Sequence, residues 1–480
     1  MRDIRDFIAK CEEEGQLHRI KAEVDWNLEL SHIAKINEER KGPALLFENV
    51  KDYSIPVLTS AMSTTERLAI ILGQPTSYSS CQLSQEWMKL VTKGLIPPKV
   101  IDKGPIMENI IGENEVDIES FPAPYFYPLD GGRYIGTANF LITQDPETGW
   151  TNLGTYRGQI LDKKHIGIQI IKGKHADFVL NQYKNMGKKM PAAMVVGFDP
   201  ILLACSGTMI SAQISEYDIA GALRGEPIEV IESDLTGLKI PAYAEIVLEG
   251  EINPEKLRPE GPFGEYTGYY SGSKGEDWPK PCLEVKRILH RNNPIFMATT
   301  VGKPITDTHM LLSLQRTASL WTDLEAMRIP GIQSVYIPAN STGRFWAIVS
   351  VKTMYPGHSN QVGNAVIATT TGHYGLKGVI VVDEDIPADN WDKVMWALSV
   401  RYDPHRDTDI IKRGRSTPLD PALPIEAREI TSRIIMDATI PYEWEEKPIE
   451  ISMVEDIKKR VLARWKEFGF DDGAPPKSIS

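Results

Sequence analysis

Cysteine is scarce in this 480-residue chain: four residues, Cys11, Cys81, Cys205 and Cys282, stand far apart with no CxxC pair. That spacing excludes a disulfide scaffold and a zinc–thiolate site, and it fits a reducing compartment, so a cytoplasmic location is expected. Long hydrophobic runs are missing as well. No apolar stretch reaches the ~18 residues a membrane span needs. The opening Met1-Arg2-Asp3-Ile4-Arg5-Asp6 is charged from the outset, unlike a signal peptide. Positive charge is in deficit: 53 Lys and Arg against 65 Asp and Glu leave a net charge of −12. This argues against nucleic acid or an anionic membrane as main partner, but it leaves room for a local basic pocket. Repeats and low-complexity segments are also lacking. What is present is an ordinary globular composition, 42% hydrophobic and 25% charged, with length for two to four domains and a core that needs no staple.

Hydrophobic periodicity divides the chain. Ile4, Phe7, Ile8 and Cys11 fall at helical spacing, and Leu28 to Arg40 predicts a second amphipathic helix. Ala44 to Phe47 and Pro56 to Thr59 read as short buried strands. Thr64 to Leu72 reads as a helix opened by a capping-box-like Ser63-Thr64-Thr65-Glu66, and Gln85 to Thr92 as another with Ser84 at its N-cap. Residues 1–114 are therefore expected to form an N-terminal α/β domain. After the turn signal Asp130-Gly131-Gly132-Arg133, β-type runs dominate residues 115–305: Tyr134 to Thr143, Trp150 to Gln159, Ile166 to Ile171, Ala192 to Val196, Ile228 to Ile231, Ala242 to Leu248, Leu283 to Leu289 and Pro294 to Thr299. This part predicts a barrel or folded sheet. A linker helix is expected over 306–328. Residues 329–451 alternate again as α/β, with strands at Val335 to Ile337, Trp346 to Val351, Ala365 to Thr369 and Val379 to Val382, and a helix over Asn390 to Arg401. Residues 452–480 hold an amphipathic helix, Ser452 to Phe468, and a loosely held tail, Asp471 to Ser480.

Three stretches carry candidate chemistry. Asn152, His175 and Glu216 offer oxygen, nitrogen and oxygen donors without a thiolate, a set that suits Mn²⁺ or Mg²⁺ better than structural Zn²⁺. Three protein donors leave positions open for an anion such as phosphate. The plainer readings are a structural histidine at a helix start and a carboxylate favoured by a helix N-terminus. Glu260 and Glu265 lie in the Pro- and Gly-rich loop Arg258-Pro259-Glu260-Gly261-Pro262-Phe263-Gly264-Glu265. Two carboxylates in a dry pocket raise one pKa while a neighbouring guanidinium holds the other ionised, so one becomes a proton donor near neutral pH; the alternative is a solvated turn with two surface acids. Lys377, before the apolar strand, could hold a phosphate or merely edge that strand, and His309 at the start of the linker helix could face a pocket or cap the helix.

Taken together, Asn152-x4-Arg157, His175, Ser215-Glu216-Tyr217, Glu260-x4-Glu265, Asp130-Gly131-Gly132 and Lys377-Gly-Val-Ile-Val-Val-Asp383 resemble the UbiD family of reversible decarboxylases in order and spacing, over roughly residues 1 to 450. Within it, the chain looks closest to bacterial decarboxylases of hydroxylated aromatic acids of the protocatechuate type. The resemblance implies an N-terminal α/β domain, a central split β-barrel like that of flavin reductases, and a C-terminal α/β domain whose last helix reaches across a dimer. It implies prenylated FMN as cofactor, supplied by a separate flavin prenyltransferase, with Mn²⁺ and often K⁺ bridging its phosphate to the protein. By motif match Asn152, His175 and Glu216 ligate Mn²⁺, and Thr155, Tyr156, Arg157, Gln159 and Lys377 join them around the cofactor, Lys377 at its phosphate. Arg157, Glu260 and Glu265 form the catalytic network, with Glu265 as acid, and His309 is the candidate for holding a substrate hydroxyl or carboxylate.

Loss of CO₂ from an aromatic carbon leaves an electron pair in the ring plane that no side chain can delocalise, so an electron-accepting cofactor is needed. The expected reaction is reversible, non-oxidative decarboxylation of an aromatic acid, a hydroxylated benzoic acid first among candidates, by a homodimer or hexamer. Other aromatic, heteroaromatic or α,β-unsaturated acids stay open as substrates. So do two other readings: a flavin-binding subunit without catalysis, and a metal-dependent hydrolase using Asn152, His175 and Glu216 alone.

Overall fold

The computed structural model describes residues 1–208, 210–271, 278–451 and 453–470. The first helix, Ile4–Glu13, buries Ile4, Phe7, Ile8 and Cys11, the four residues its spacing singles out, with Asp3 as N-cap. It packs on a four-stranded sheet ordered Leu17–Ile20, Ala44–Phe47, Val57–Thr59 and Phe296–Met297. The last strand lies near the end of residues 115–305, the expected central domain, so the chain returns there to the N-terminal sheet. Conversely Asn109–Ile111 pairs with Trp278–His290 of the central sheet. The two regions are thus stitched together across the expected boundary at 114/115 in both directions.

The helix expected at Gln85 begins five residues earlier: it spans Ser80–Thr92, and Ser79 with Gln82 forms a reciprocal capping box. Ser79, not Ser84, supplies the cap; Ser84 is buried inside the helix. At the preceding helix, Thr65–Leu72, Thr64 caps by accepting from the Arg67 amide.

The central domain is an all-antiparallel sheet. Its path runs Tyr134–Gly136, Gly158–Asp162, His165–Ile168, Trp278–His290, Ile246–Glu260, Met190–Val196, Asn139–Gln144 and Thr151–Gly154. Among the described residues no ladder joins the two ends, so the sheet is folded but open, as a split barrel is. Trp150 to Gln159, expected as one strand, is two. Thr151–Gly154 pairs with Asn139–Gln144, and Gly158–Asp162 pairs with His165–Ile168 and Tyr134–Gly136. The break at 155–157 has a local cause: the Tyr156 ring folds back over Gly154, where an added Cβ would lie 2.2 Å from it.

A 20-residue helix, Asp307–Ala326, leads to the C-terminal domain, with Leu311, Leu314, Leu320 and Leu324 all buried. There the sheet order is Ile332–Tyr336, Trp346–Val351, Gly378–Asp383, Ile430–Ala438 and Thr408–Arg415, with parallel pairing at its centre. Ala365 to Thr369, expected as a strand, instead ends the helix His358–Ala368 that covers this sheet. Within the fully apolar run Ala365 to Ala368, Ala365, Val366 and Ile367 are buried and Ala368 is exposed, and such a short run carries no period that separates helix from strand. The sequence beyond it resolves as the helix Glu455–Ala463 and a short 3-10 turn, Trp465–Phe468, whose described residues bury no side chain. The loosely held tail expected at Asp471 to Ser480 lies outside the described residues, and none of the described helices is long and apolar enough to cross a membrane.

Candidate active site

Two polar clusters flank the break in the Thr151–Gln159 segment. On one side Asn152, His175 and Glu216 converge from three elements. Asn152 lies on the strand Thr151–Gly154, His175 is the first residue of the helix His175–Asn185, and Glu216 is the first residue of the helix Glu216–Arg224. A capping box between Ser215 and Asp218 fixes the start of the last helix. The Asn152 amide nitrogen donates to Glu216 Oε1 at 2.8 Å and lies 3.4 Å from His175 Nδ1, while the Leu153 amide donates to Glu216 Oε2 at 2.7 Å. Trp150 packs edge-on against the His175 ring, centroids 4.9 Å apart. Burial pushes the Glu216 carboxyl up to about 8 and the His175 imidazole below its ordinary value.

This set fits a divalent cation. Asn152 Oδ1 is buried with no hydrogen-bond partner, although its amide nitrogen faces the carboxylate and the imidazole. An orphaned buried acceptor is costly, and exchanging amide oxygen and nitrogen by a half-turn would present three electron-pair donors to one point. A cation there would also offset the burial of the Glu216 charge, and a neutral imidazole is the form that ligates metal. Two of the three donors are His or Glu; among the described residues no group of three His, Cys, Asp or Glu side chains comes together.

On the other side of the break, Arg157 is a nearly buried cation between two carboxylates. Its Nε and Nη2 donate to Glu260 Oε1 and Oε2, both at 2.8 Å, and its Nη1 donates to Glu265. The fork-shaped pair with Glu260 is the geometry only a guanidinium provides. Arg157 also lies over the Phe263 ring, 4.8 Å from its centroid, and the Tyr134 hydroxyl donates to Glu260 Oε1 at 3.0 Å. Burial raises the Glu265 carboxyl above the ordinary glutamate range; Arg157 opposes that shift and Glu260 adds to it.

The loop that carries both acids is clamped from outside. Gly131 donates its amide to the Pro262 carbonyl at 2.7 Å, and an added Cβ there would lie 1.9 Å from the Gly261 carbonyl oxygen, so only glycine fits. Asp130 accepts from the amides of Gly264 and Tyr127 at 2.8 and 3.0 Å, its carboxyl pushed up to about 7 by burial. Gln159 accepts from the Gly261 amide at 2.7 Å. The Asp130-Gly131-Gly132 turn is therefore a brace for the Glu260–Glu265 loop.

The remaining expected residues fall elsewhere. Thr155 is exposed and meets the Ser206 hydroxyl at 2.7 Å, whereas Tyr156 is buried, its hydroxyl accepting from the Ala176 amide at 3.3 Å. Lys377 Nζ is bound to the buried Asp420 at 2.6 Å. His309, expected at the substrate, has both ring nitrogens engaged inside the protein. Nδ1 faces the amide and hydroxyl of Thr306 in a capping box, and Nε2 meets the Tyr266 carbonyl at 2.6 Å. In this structure it is a tie between the linker helix and the residue after Glu265. Sequence reasoning missed Tyr134, and it missed a basic group of Lys174, Arg316, Arg344 and Arg415 beside Tyr266 and Tyr374; both depend on long-range approach with no local spacing signal.

Three family models match this chain: the 3-octaprenyl-4-hydroxybenzoate carboxy-lyase N-terminal domain over residues 8–87, its Rift-related domain over 99–304 and its C-terminal domain over 309–438. The chain belongs to the UbiD family. Solved structures agree over nearly the whole length. The UbiD-class enzyme HmfF from Pelotomaculum thermopropionicum, in complex with FMN, is 28% identical with a TM-score of 0.87, covering 96% of this chain and 100% of its own. Vanillic acid decarboxylase from Sedimentibacter hydroxybenzoicus, in closed form, is 31% identical with a TM-score of 0.84, covering 98% and 99%. Apo 3,4-dihydroxybenzoic acid decarboxylase from Klebsiella pneumoniae is 26% identical with a TM-score of 0.82, covering 96% and 99%. The protein is a carboxy-lyase of this family.

Proposed function

We propose that this carboxy-lyase removes CO₂ reversibly from an aromatic acid, with prenylated FMN held through Mn²⁺, and with K⁺ beside it, on Asn152, His175 and Glu216. Hydroxylated benzoic acids are the first substrates to test. The single observation that carries the reading is the buried Arg157 guanidinium joining Glu260 and Glu265 a few residues along the chain from Asn152. Support comes from HmfF, seen with FMN and, in an evolved dimeric form, with prFMN. It comes also from the two relatives that decarboxylate vanillic and 3,4-dihydroxybenzoic acid.

When bound, the prenylated flavin supplies the electron-accepting ring that no side chain offers. The chain's own residues then handle charge and protons. With both acids ionised, the Arg157 cluster would be a net anion and would repel a carboxylate. With Glu265 protonated, as its burial favours, the cluster is a neutral Arg157–Glu260 pair beside a neutral acid. That state admits a substrate carboxylate to the guanidinium and has a proton ready on Glu265 for the carbon that loses CO₂. Once the proton has been given, Arg157 stabilises the new carboxylate and Glu260 keeps the guanidinium in place. Phe263 and Tyr134 wall the site with apolar surface, which favours departure of neutral CO₂ over retention of a carboxylate. Gln159 and Tyr156 shape this segment, and Thr155 lies at its exposed bend. Lys377 must share or leave Asp420 to reach a phosphate, whereas Lys174 directly precedes His175. The last helix, whose apolar Ile457, Val461 and Leu462 are uncovered, suits a dimer contact.

The test is co-expression with a flavin prenyltransferase, supply of Mn²⁺, and measurement of CO₂ release and ring C–H exchange in D₂O over a panel of aromatic acids. Turnover of at least one acid is expected. Flavin- and metal-loaded protein that neither releases CO₂ nor exchanges hydrogen with any of them would refute the proposal.

A further inference from the structure

The two acids joined by Arg157 differ in the donors they face, and part of the difference comes from Tyr134. Glu260 Oε1 accepts from Arg157 Nε at 2.8 Å and from the Tyr134 hydroxyl at 3.0 Å, while its Oε2 accepts from Arg157 Nη2 at 2.8 Å. Glu265 takes its bond from Arg157 Nη1, and its side chain is the more exposed of the two, 10% against 0%. Each N–H or O–H aimed at a carboxyl favours its ionised form. Arg157 serves both acids; Tyr134 serves Glu260.

Tyr134 is well placed for this work. It is fully buried on the strand Tyr134–Gly136, opposite Gln159, with its ring tilted against Phe263 at 4.4 Å between centroids. Its hydroxyl has one hydrogen and two acceptors in reach, since the Pro262 carbonyl lies 3.2 Å away. That carbonyl already accepts from the Gly131 amide at 2.7 Å, and a carboxylate is the stronger acceptor, so the hydrogen belongs to Glu260. Burial, with Glu260 beside it, raises the phenol above its ordinary value and keeps it a donor. The other charged groups facing the pair are Arg157 and Lys280, which oppose a proton on Glu265, and the buried Asp130, a neighbour of Glu265 across Gly264.

We infer that Tyr134 is a positioning residue for the reaction: its hydroxyl, bonded to Glu260, directs the proton shared by the two acids onto Glu265. This rests on the decarboxylase reading, in which Glu265 gives that proton to the ring carbon and regains one from solvent. Without the hydroxyl the returning proton is divided between the two acids, and a molecule that carries it on Glu260 has no acid to offer the ring.

The experiment uses Tyr134→Phe, which removes the hydroxyl and keeps the ring against Phe263. A hydrogen bond to a charged group is worth about tenfold or more in an equilibrium, so Glu260 takes a larger share of the proton. The fraction on Glu265 then falls by as much as about tenfold on the neutral plateau. The pH at which the pair releases its proton rises by the matching factor, up to about one unit. On the alkaline side the two effects cancel, because the affinity of Glu265 itself is untouched. Profiles of kcat and of ring C–H exchange against pH, corrected for flavin per chain, should therefore separate at neutral pH and meet at high pH. Adding Glu260→Gln to Tyr134→Phe should cost no more than Glu260→Gln alone, since the hydroxyl acts through that acid. In cofactor-free protein, infrared difference spectra of Tyr134→Phe against wild type should show one protonated-carboxyl band fading and a second growing, the second absent once Glu260→Gln is added. A rate lowered by the same factor at every pH, a rate unchanged throughout, or spectra without the second band would overturn the inference. Growth of that band in a protein whose wild type turns over no acid would instead sink the decarboxylase reading and leave the placement of the proton standing.

Discussion

Replacing Arg157 by alanine isolates the central electrostatic claim. The guanidinium is bonded at 2.8 Å through two nitrogens to Glu260, whose side chain is 0% exposed, and through a third to Glu265, 10% exposed. Removing one partner of such a pair costs about 3–5 kcal/mol, because a charge is left in a place that cannot solvate it. The protein can lower that cost by protonating a carboxylate. For an ordinary glutamate, with pKa ~4.3, protonation costs about 1.4 kcal/mol per pH unit, hence ~4 kcal/mol at pH 7 and ~1 kcal/mol at pH 5. The sign follows from linkage. An unpaired buried acid has its folded pKa raised above the unfolded value, so its penalty is absent at low pH and grows as pH rises through that interval.

The predicted loss is therefore about 3–4 kcal/mol at pH 7, falling to about 1 kcal/mol at pH 5. A chain of this length with several domains need not unfold in one step. The assay is therefore hydrogen exchange of the amides in Gly158–Asp162 and Ile246–Glu260, run on metal- and flavin-free protein at both pH values and corrected for intrinsic rates. Adding Glu260→Gln to Arg157→Ala should recover part of the loss at pH 7, because the amide carries no charge to strand. A loss of protection that is the same at both pH values, or a double variant no better protected than the single, would refute the coupled-charge account.

Glu265→Gln is expected to retain flavin and metal while turnover and substrate C–H exchange in D₂O fall about 10²–10⁴-fold, the usual range for removing a general acid; normal exchange would place the acid elsewhere. Glu216→Gln removes the one anionic donor of its cluster and should weaken Mn²⁺ binding at least ~tenfold, read by electron paramagnetic resonance titration; unchanged affinity would remove Glu216 from the metal. Glu38 is buried between Ser60 Oγ and Thr300 Oγ1, with Asp307 and Lys35 as its charged neighbours and its carboxyl pushed up to about 8 by burial. Stability should thus fall as pH rises from about 4.3 towards 8 by up to ~1.4 kcal/mol per unit from this group, and Glu38→Gln should flatten the melting temperature between pH 6 and 8; an unaltered slope would show that Glu38 does not titrate there.

Much of the framework was legible because it is local. Ile4, Phe7, Ile8 and Cys11 announce their helix face, the helix expected over Asn390 to Arg401 spans Trp391–Val400, and Lys377 does precede the strand Gly378–Asp383. The misreadings are local conflicts decided by tertiary packing. The Ser79 cap lay upstream of the apolar pattern used to place the helix. The run Ala365 to Ala368 is apolar all along and short enough for either period. The edge strand Thr408–Arg415 alternates too little in burial to be read at all. At the site, residue types and spacing could nominate Asn152, His175, Glu216, Arg157, Glu260 and Glu265. They could not show that Tyr134 would reach Glu260, nor that Arg316 and Arg344 would meet across a domain junction, because nothing in sequence ties positions so far apart.

The break at 155–157 explains why Asn152 and Arg157 are five residues apart. Along an uninterrupted strand, residues an odd number apart face opposite sides of the sheet, and the two clusters would be separated by its thickness. Here the chain leaves one ladder after Gly154 and enters another at Gly158. Tyr156 is pinned between the Asn139 side chain, which donates to its carbonyl at 2.9 Å, and the Ala176 amide, which donates to its hydroxyl at 3.3 Å. The same tyrosine thus touches the start of the helix that carries His175 and sets the point at which Arg157 departs toward Glu260. Metal-type donors and proton-handling acids are held by two different sheet registers, and the short bend between them is the only covalent path that fixes one against the other over so few residues.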